Sequence, residues 1–110
     1  MTKIALITGA TSGIGKATAI KLAENGYNLI LCGRRAEKLE ELKNLLSKTV
    51  KIHSLLFDVR NRKEVELQID SLPNEWKSID VLVNSAGNAH GLSSIQNGDI
   101  DDWDAMIDGN

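Results

Sequence analysis

Short apolar runs recur along the chain and predict four buried strands. They occupy residues 3–8, 28–32, 50–57 and 79–83, with polar or turn-forming residues on either side. Continuous runs of this length are typical of strands in a parallel sheet that is covered on both faces. The run at 50–57 opens with alternation and places His53 on a polar position, which predicts an exposed histidine and not a metal ligand.

Between and after these runs, apolar residues recur every three or four positions, which predicts four helices. Gly26 ends the first helix. Asn61, with Glu64 three residues later, caps the third helix, and Pro73 ends it. Strands and helices thus alternate, so we expect an α/β fold with a parallel sheet between two helical layers. The stripes of the four predicted helices are Ile14, Ala17, Ile20 and Ala23; Leu39, Leu42, Leu45 and Leu46; Val65, Ile69 and Leu72; and Ile100, Trp103 and Ile107.

A glycine-rich segment, Thr8-Gly9-Ala10-Thr11-Ser12-Gly13-Ile14-Gly15, joins the first predicted strand to the first predicted helix. The unpaired N–H groups and the dipole of a helix N-terminus favour an anion at such a junction. Its three glycines permit a sharp turn, close approach of the backbone to a pyrophosphate, and tight packing of the helix on the strand. Taken alone, the segment fits either a phosphate site or a plain structural turn.

The end of the second predicted strand carries Gly33, Arg34 and Arg35, about 20 residues after the glycine-rich segment, where ribose selectivity is decided in dinucleotide-binding folds. The planar, permanently charged guanidinium suits a 2′-phosphate, so the cofactor prediction is NADP. The alternative is that both arginines are solvated charges that begin the next helix. That alternative explains them less well, because a cation near a helix N-terminus opposes the dipole.

Composition narrows the possible partners. The 110 residues are 42% hydrophobic and 25% charged, which indicates a globular chain, and no apolar run approaches the length of a membrane span. The net charge of −2 argues against nucleic acid as a partner. The single cysteine, Cys32, excludes an internal disulfide, and its apolar neighbours predict a buried thiol in a cytoplasmic protein.

Two further motifs follow the third and fourth predicted strands, Phe57-Asp58-Val59 and Asn84-Ser85-Ala86-Gly87. Together with the glycine-rich segment and the arginines, they resemble the short-chain dehydrogenase/reductase family, whose fourth motif is usually Asn-Asn-Ala-Gly. Ser85 departs from that pattern. The resemblance implies a doubly wound Rossmann sheet with strand order 3-2-1-4, in which Leu82 and its neighbours would lie on an open edge. The cofactor-binding set that it implies is Gly9, Thr11, Ser12, Gly13, Ile14, Gly15, Arg34, Arg35, Asp58, Val59, Asn84, Ala86 and Gly87.

Within the family, the segments 58–62, 72–76 and 102–108 resemble the NADP-dependent 3-hydroxy acid (serine) dehydrogenases. Family members take the reaction proton from a tyrosine that has a lysine four residues later. Tyr27 has Leu31 at that position, so it is not assigned as the acid. The resemblance implies one catalytic residue here, Asn110, which would hold a water in a proton relay.

The resemblance therefore implies that residues 1–110 are the N-terminal part of one NADP-binding domain whose remainder is absent from this chain. The full-length protein is expected to be an oxidoreductase acting on a small 3-hydroxy acid or a related alcohol or carbonyl substrate. We expect it to be a homotetramer or homodimer, and the chain alone to be inactive.

Two alternatives stay open, a non-catalytic dinucleotide-binding module and a calcium loop. The calcium loop would use Asn97, Asp99, Asp101 and Asp108, although Asp102 replaces its turn glycine.

Overall fold

The structure is a computed structural model that describes residues 2–85 and the backbone of residues 105–108. Strands and helices alternate through the first of these ranges, as the apolar pattern predicts. A 3₁₀ turn, Asn74–Trp76, precedes the fourth strand. The described elements are β1 (Ile4–Thr8), α1 (Gly13–Glu24), β2 (Asn28–Gly33), α2 (Ala36–Leu46), β3 (Ile52–Leu56), α3 (Arg62–Asp70), β4 (Val81–Asn84) and β5 (Ala105–Asp108).

All of these strands are parallel and form one sheet in the order β3-β2-β1-β4-β5. The central strand β1 pairs with β2 on one side and with β4 on the other, with Thr8 opposite both Cys32 and Asn84. The chain therefore reverses its winding direction between β1 and β4. The predicted doubly wound sheet with strand order 3-2-1-4 is confirmed, and its switch point lies at the carboxyl ends of these two strands.

The prediction of a helix through Ile107 and of an open edge at β4 is wrong for the part that the structure describes. Ala105–Asp108 is a strand parallel to β4, with Ala105 opposite Val81 and Asp108 opposite Asn84. An unpaired strand edge leaves a row of N–H and C=O groups without partners, and β5 satisfies those of β4. The short apolar run that contains Ile107 is compatible with either element, so its spacing alone does not decide. Ile100 and Trp103 lie outside the described residues.

The hydrophobic core lies in two layers because successive strand residues point to opposite faces of the sheet. On β1, Leu6 faces the layer covered by α3 and the 3₁₀ turn, whereas Ile7 faces the layer covered by α1 and α2. Both side chains are fully buried. Cys32 is also fully buried, as predicted, and burial raises the pKa of its thiol far above the usual range.

The predicted stripe of α1 is confirmed in its second half, where Ala23 is buried and Ile20 packs partly buried against the core, and is wrong in its first half. Ile14 is 59% exposed and Ala17 is exposed, whereas the buried residues are Gly15, Ala19 and Ala23. These small residues recur every four positions and let the helix lie close to the sheet. A strict spacing of three residues drifts around a helix of 3.6 residues per turn, so Ile14 and Ala17 leave the face that contacts the sheet.

His53 is half-buried, so the prediction of an exposed side chain is wrong. Its ring lies 5.5 Å from the ring of Trp76, which is part of the core. The pKa of His53 is lowered, first by burial and then by the nearby charge of Lys43. The tertiary contact with Trp76 was not visible in the local alternation around residue 53.

Candidate functional site

A cleft of about 420 Å³ opens at the carboxyl ends of the strands, next to the switch point between β1 and β4. This is the position at which doubly wound sheets bind their ligands. Loops after β1, β2, β3 and β4 all contribute to it. Its lining residues are Gly9, Thr11, Ser12, Gly33, Arg34, Arg35, Lys38, Phe57, Asp58, Val59, Arg60 and Ser85.

The turn from β1 to α1 forms one wall of the cleft. Gly9 has a φ of 62°, in the left-handed region that side chains disfavour. Ser12 is the N-cap residue of α1, but its hydroxyl donates to the Gly9 carbonyl at 3.0 Å and does not cap the helix. The first-turn N–H groups of α1 therefore have no side-chain cap, as an anion site at a helix N-terminus requires.

Gly15 fixes how closely α1 approaches this turn. A Cβ atom at residue 15 would lie 2.8 Å from the carbonyl carbon of Gly9, closer still to its oxygen, and 2.5 Å from Ser85 Oγ. Gly13 has nothing within 4 Å of its would-be Cβ. The two glycines therefore have different roles, one for packing beneath the turn and one in the open first turn of the helix.

The end of β4 is hydrogen-bonded to the same turn. The hydroxyl of Ser85 donates to the Thr8 carbonyl, and it lies 3.5 Å from the Gly9 carbonyl oxygen. The buried hydroxyl of Thr8 donates to Asn84 Oδ1 at 3.1 Å. Serine at position 85, where the family has a second asparagine, thus still links β4 to the glycine-rich turn.

Positive charge is concentrated on the opposite wall. Arg34 follows β2, Arg35 is the N-cap residue of α2, and Lys38 lies in the first turn of that helix. All three side chains are exposed and line the cleft, together with Arg60. The cleft therefore has four cationic side chains and one carboxylate, although the whole chain has 13 lysines and arginines against 15 acidic residues.

The carboxylate is Asp58, which follows β3. Its Oδ1 accepts from the backbone N–H of Arg60 at 2.9 Å and from Nε of the same residue at 3.1 Å, while Oδ2 accepts from Nη2 at 2.7 Å. These hydrogen bonds from Arg60, more than the charge of Arg34, hold the pKa of Asp58 well below its usual range. Asp58 is therefore a permanent hydrogen-bond acceptor at the rim of the cleft.

Most of the predicted cofactor residues in the described range meet at this cleft. Gly15 and Asn84 are buried behind it, and Gly13 and Ile14 are exposed in the first turn of α1 without lining it. Tyr27 directly precedes β2, at the opposite end of the strand. The predicted residues that line the cleft are Gly9, Thr11, Ser12, Arg34, Arg35, Asp58 and Val59.

The sequence reasoning missed Lys38 and Arg60. Lys38 follows Arg35, the N-cap residue of α2, by three positions, a spacing that could have placed both side chains on the same side of the helix. Several residues singled out from the sequence lie outside the described residues. They are Ala86, Gly87 and Asn110 of the predicted site, and Asn97, Asp99, Asp101 and Asp102 of the calcium alternative. Of Asp108, only the backbone is described.

Among residues 2–85, no group of three or more histidine, cysteine or acidic side chains is arranged to hold a metal ion. No helix within the same range is long and apolar enough to cross a membrane.

Comparison with known proteins gives consistent matches. The family model for the short chain dehydrogenase matches residues 3–110. The chain is 47% identical over its full length to sulfoacetaldehyde reductase 2 of Chromohalobacter salexigens, and it covers 44% of that protein. It is also 47% identical, over 97% of its length, to the NADP-dependent 3-hydroxy acid dehydrogenase YdfG of Salmonella typhi, of which it covers 42%.

Among solved structures, a serine dehydrogenase in its closed form, complexed with NADP⁺, matches with a TM-score of 0.64 and 45% identity. The match covers 73% of this chain and 32% of that one. The chain thus spans less than half the length of the curated relatives that it matches. The predicted cofactor agrees with the one named for two of these three proteins.

Proposed function

Because the chain belongs to the short-chain dehydrogenase family, we propose that it forms the NADP-binding part of an oxidoreductase that acts on a small 3-hydroxy acid or a related carbonyl compound. Bound NADP supplies hydride transfer. The residues of this chain bind and orient the dinucleotide. Only Asn110 among them is assigned a role in the reaction of the substrate. In this proposal residues 1–110 are one part of a single cofactor-binding domain, in a cytoplasmic protein that assembles as a homodimer or homotetramer.

The pyrophosphate is assigned to the turn between β1 and α1. Support comes from the uncapped first turn of α1 and from the positive φ of Gly9, which lines the cleft. The absence of a side chain at Gly15 gives further support, because a Cβ there would displace the Gly9 carbonyl. The glycines and the flanking Thr11, Ser12 and Ile14 thus form a backbone cradle suited to a diphosphate.

The observation that carries the proposal is the cationic wall of the cleft. In residues 2–85, neither Arg35 nor Lys38 has an acidic partner within ion-pair distance, and Arg34 is 3.8 Å from Asp58 Oδ2. Unpaired cations beside the first βα turn favour a cofactor with an additional phosphate on the adenine ribose. NADP meets that requirement and NAD does not.

The remaining residues are assigned by their places around the cleft and by the family motifs. The Asp58 carboxylate is assigned to accept a hydrogen bond from the adenine amino group, and Val59 lines the cleft beside it. Asn84, Ala86 and Gly87 are assigned to the cofactor ribose, and Asn110 to the proton relay. The substrate class follows the two curated relatives, one named as a 3-hydroxy acid dehydrogenase and one as an aldehyde reductase.

The proposal is tested by the Arg34→Ala/Arg35→Ala double variant of the full-length protein. Each charge-assisted hydrogen bond to phosphate contributes about 1.5–3 kcal/mol, so NADPH should bind at least tenfold more weakly. NADH should bind about as well as before. Calorimetric titration of both cofactors measures this, with Arg62→Ala as control, because Arg62 pairs with Glu66 on α3 away from the cleft.

Equal affinity of the unmutated protein for NADH and NADPH would contradict the cofactor assignment. A non-catalytic dinucleotide-binding module would give the same binding results. Turnover separates the two functions, because the oxidoreductase consumes NADPH in the presence of a 3-oxo acid or an aldehyde, and a binding module does not.

A further inference from the structure

Two arginines approach the same carboxylate oxygen at the rim of the cleft. Arg60 Nη2 lies 2.7 Å from Asp58 Oδ2, and Arg34 Nη1 lies 3.8 Å from that oxygen. The first distance is a short charge-assisted hydrogen bond, whereas the second is beyond hydrogen-bond range. Asp58 is therefore hydrogen-bonded to Arg60, whereas Arg34 makes only a longer ion pair with it and keeps its hydrogen-bond donors for another partner.

Arg60 holds Asp58 at several points. Its Nε donates to Oδ1 at 3.1 Å, and its backbone N–H donates to the same oxygen at 2.9 Å. The partners are two residues apart, so these hydrogen bonds lie within the loop after β3. Local hydrogen bonding of this kind is geometrically specific even though the Arg60 side chain is 61% exposed.

Without Arg60, Asp58 would act on the phosphate site in two unfavourable ways. Its free carboxylate would attract Arg34, the nearest remaining cation, and would repel a phosphate dianion held by Arg34 and Arg35. A carboxylate beside a cation that holds a phosphate dianion weakens the phosphate site, because it competes for that cation and repels the dianion. Compensation of the Asp58 charge by Arg60 reduces both effects.

We propose that Arg60 is a specificity-determining residue that neutralises Asp58 and thereby leaves Arg34 available for the 2′-phosphate of the cofactor. The inference rests on the proposed function, because it requires a phosphate at Arg34. Arg60 acts in it without touching the phosphate. The mutual effect of the pair also lowers the pKa of Asp58 and raises that of Arg60, so the ion pair persists at physiological pH.

The test measures cofactor preference, the ratio of the dissociation constants of NADH and NADPH, in four forms of the full-length protein. These are the unmutated protein, Arg60→Ala, Asp58→Asn, and the Arg60→Ala/Asp58→Asn double variant. Preference is insensitive to general damage to the cleft, because such damage weakens both cofactors alike. Asp58 and Arg60 are partly or largely exposed, so the variants are expected to fold.

Arg60→Ala should lower the preference for NADPH on the order of tenfold, the scale of one charge-assisted contact to a phosphate. Asp58→Asn alone should retain the unmutated preference. The double variant should regain it to within about threefold, because the charge that required compensation is gone. Arg62→Ala is the matched control and should change nothing, since Arg62 does not line the cleft.

Two results would overturn the inference. An Arg60→Ala variant with unchanged preference would show that Asp58 does not affect the phosphate. A double variant that stays as low as Arg60→Ala would show that Arg60 binds the phosphate directly. Failure of the proposed function is distinguishable from both, because the unmutated protein would then show no preference for NADPH and no response to the Arg34→Ala/Arg35→Ala double variant.

Discussion

Replacing Gly15 with alanine adds one methyl group at the most crowded point of the turn between β1 and α1. The new carbon would lie 2.8 Å from the carbonyl carbon of Gly9, whereas unstrained carbon atoms stay about 3.5–4.0 Å apart. It would also lie 2.5 Å from Ser85 Oγ. Both neighbours must move, and one of them is backbone.

The expected loss of stability follows from the hydrogen bonds that the Gly9 carbonyl oxygen accepts. That oxygen accepts from the Ser12 N–H at 3.2 Å and from the Ser12 hydroxyl at 3.0 Å. Each lost hydrogen bond costs about 1 kcal/mol, and overpacking costs about 1–3 kcal/mol. Alanine gains about 1 kcal/mol over glycine inside a helix. We therefore expect Gly15→Ala to lower the free energy of unfolding by about 2–4 kcal/mol.

Equilibrium urea denaturation with and without NADPH measures both consequences. Gly13→Ala is the matched control, because it adds the same methyl group to the same helix at a position with nothing within 4 Å. It should be neutral or slightly stabilising for the fold. Gly15→Ala should also bind NADPH at least tenfold more weakly, because the displaced Gly9 carbonyl lies in the proposed pyrophosphate seat.

The reasoning is refuted if Gly15→Ala is as stable as Gly13→Ala, because the turn would then accommodate a Cβ atom despite the short distances to Gly9 and Ser85. It also fails if Gly15→Ala is destabilised but binds NADPH with unchanged affinity. That result would place the pyrophosphate away from the Gly9 turn.

Two further predictions concern the other side of the sheet. Asn61→Ala removes the Oδ1 atom that accepts from the Glu64 N–H at 3.2 Å, and it should cost about 1 kcal/mol in urea denaturation, with Asn61→Asp largely retaining the cap. A loss below a few tenths of a kcal/mol would mean that α3 does not depend on this cap. The pKa of His53, followed by NMR, should lie below the ordinary histidine value because of its burial and the charge of Lys43. Since the unfolded chain then protonates first as the pH falls, the stabilisation is complete above about pH 6.5 and is lost at lower pH, a slope that His53→Asn should remove. An NMR pKa at or above the ordinary value would contradict this.

The strands around the switch point could be predicted from sequence because their apolar runs are local and nearly continuous. The glycine-rich turn after β1 could be predicted from the spacing of Gly9, Gly13 and Gly15. The place of Arg34 in the cleft could be predicted from its sequence distance to that turn, since the fold fixes where the second strand ends. These predictions require only positions along the chain and no knowledge of tertiary contacts.

The features that could not be predicted from the sequence all depend on contacts that the local pattern of hydrophobic and polar residues does not reveal. The pairing of Arg60 with Asp58 depends on the conformation of the loop after β3, and a charged run there resembles a solvated surface. The contact between His53 and Trp76 joins β3 to a distant 3₁₀ turn. Strand β5 was missed because its three apolar residues, Ala105, Met106 and Ile107, fit either a helix or a strand until a partner strand is known.

The hydrogen bonds that join β4 to the glycine-rich turn have a consequence for the order of folding. Thr8 and Asn84 are 76 positions apart, and Thr8 and Ser85 are 77 apart. Closing so long a loop is slow compared with forming a helix or pairing successive strands. During synthesis, roughly 4 to 15 s separate the appearance of Thr8 from that of Ser85, at about 5–20 residues per second. In the nascent chain the glycine-rich turn cannot form its hydrogen bonds with Asn84 and Ser85 until those residues have been synthesised. The nucleotide-binding turn therefore reaches its final structure after β1 and β2 have paired.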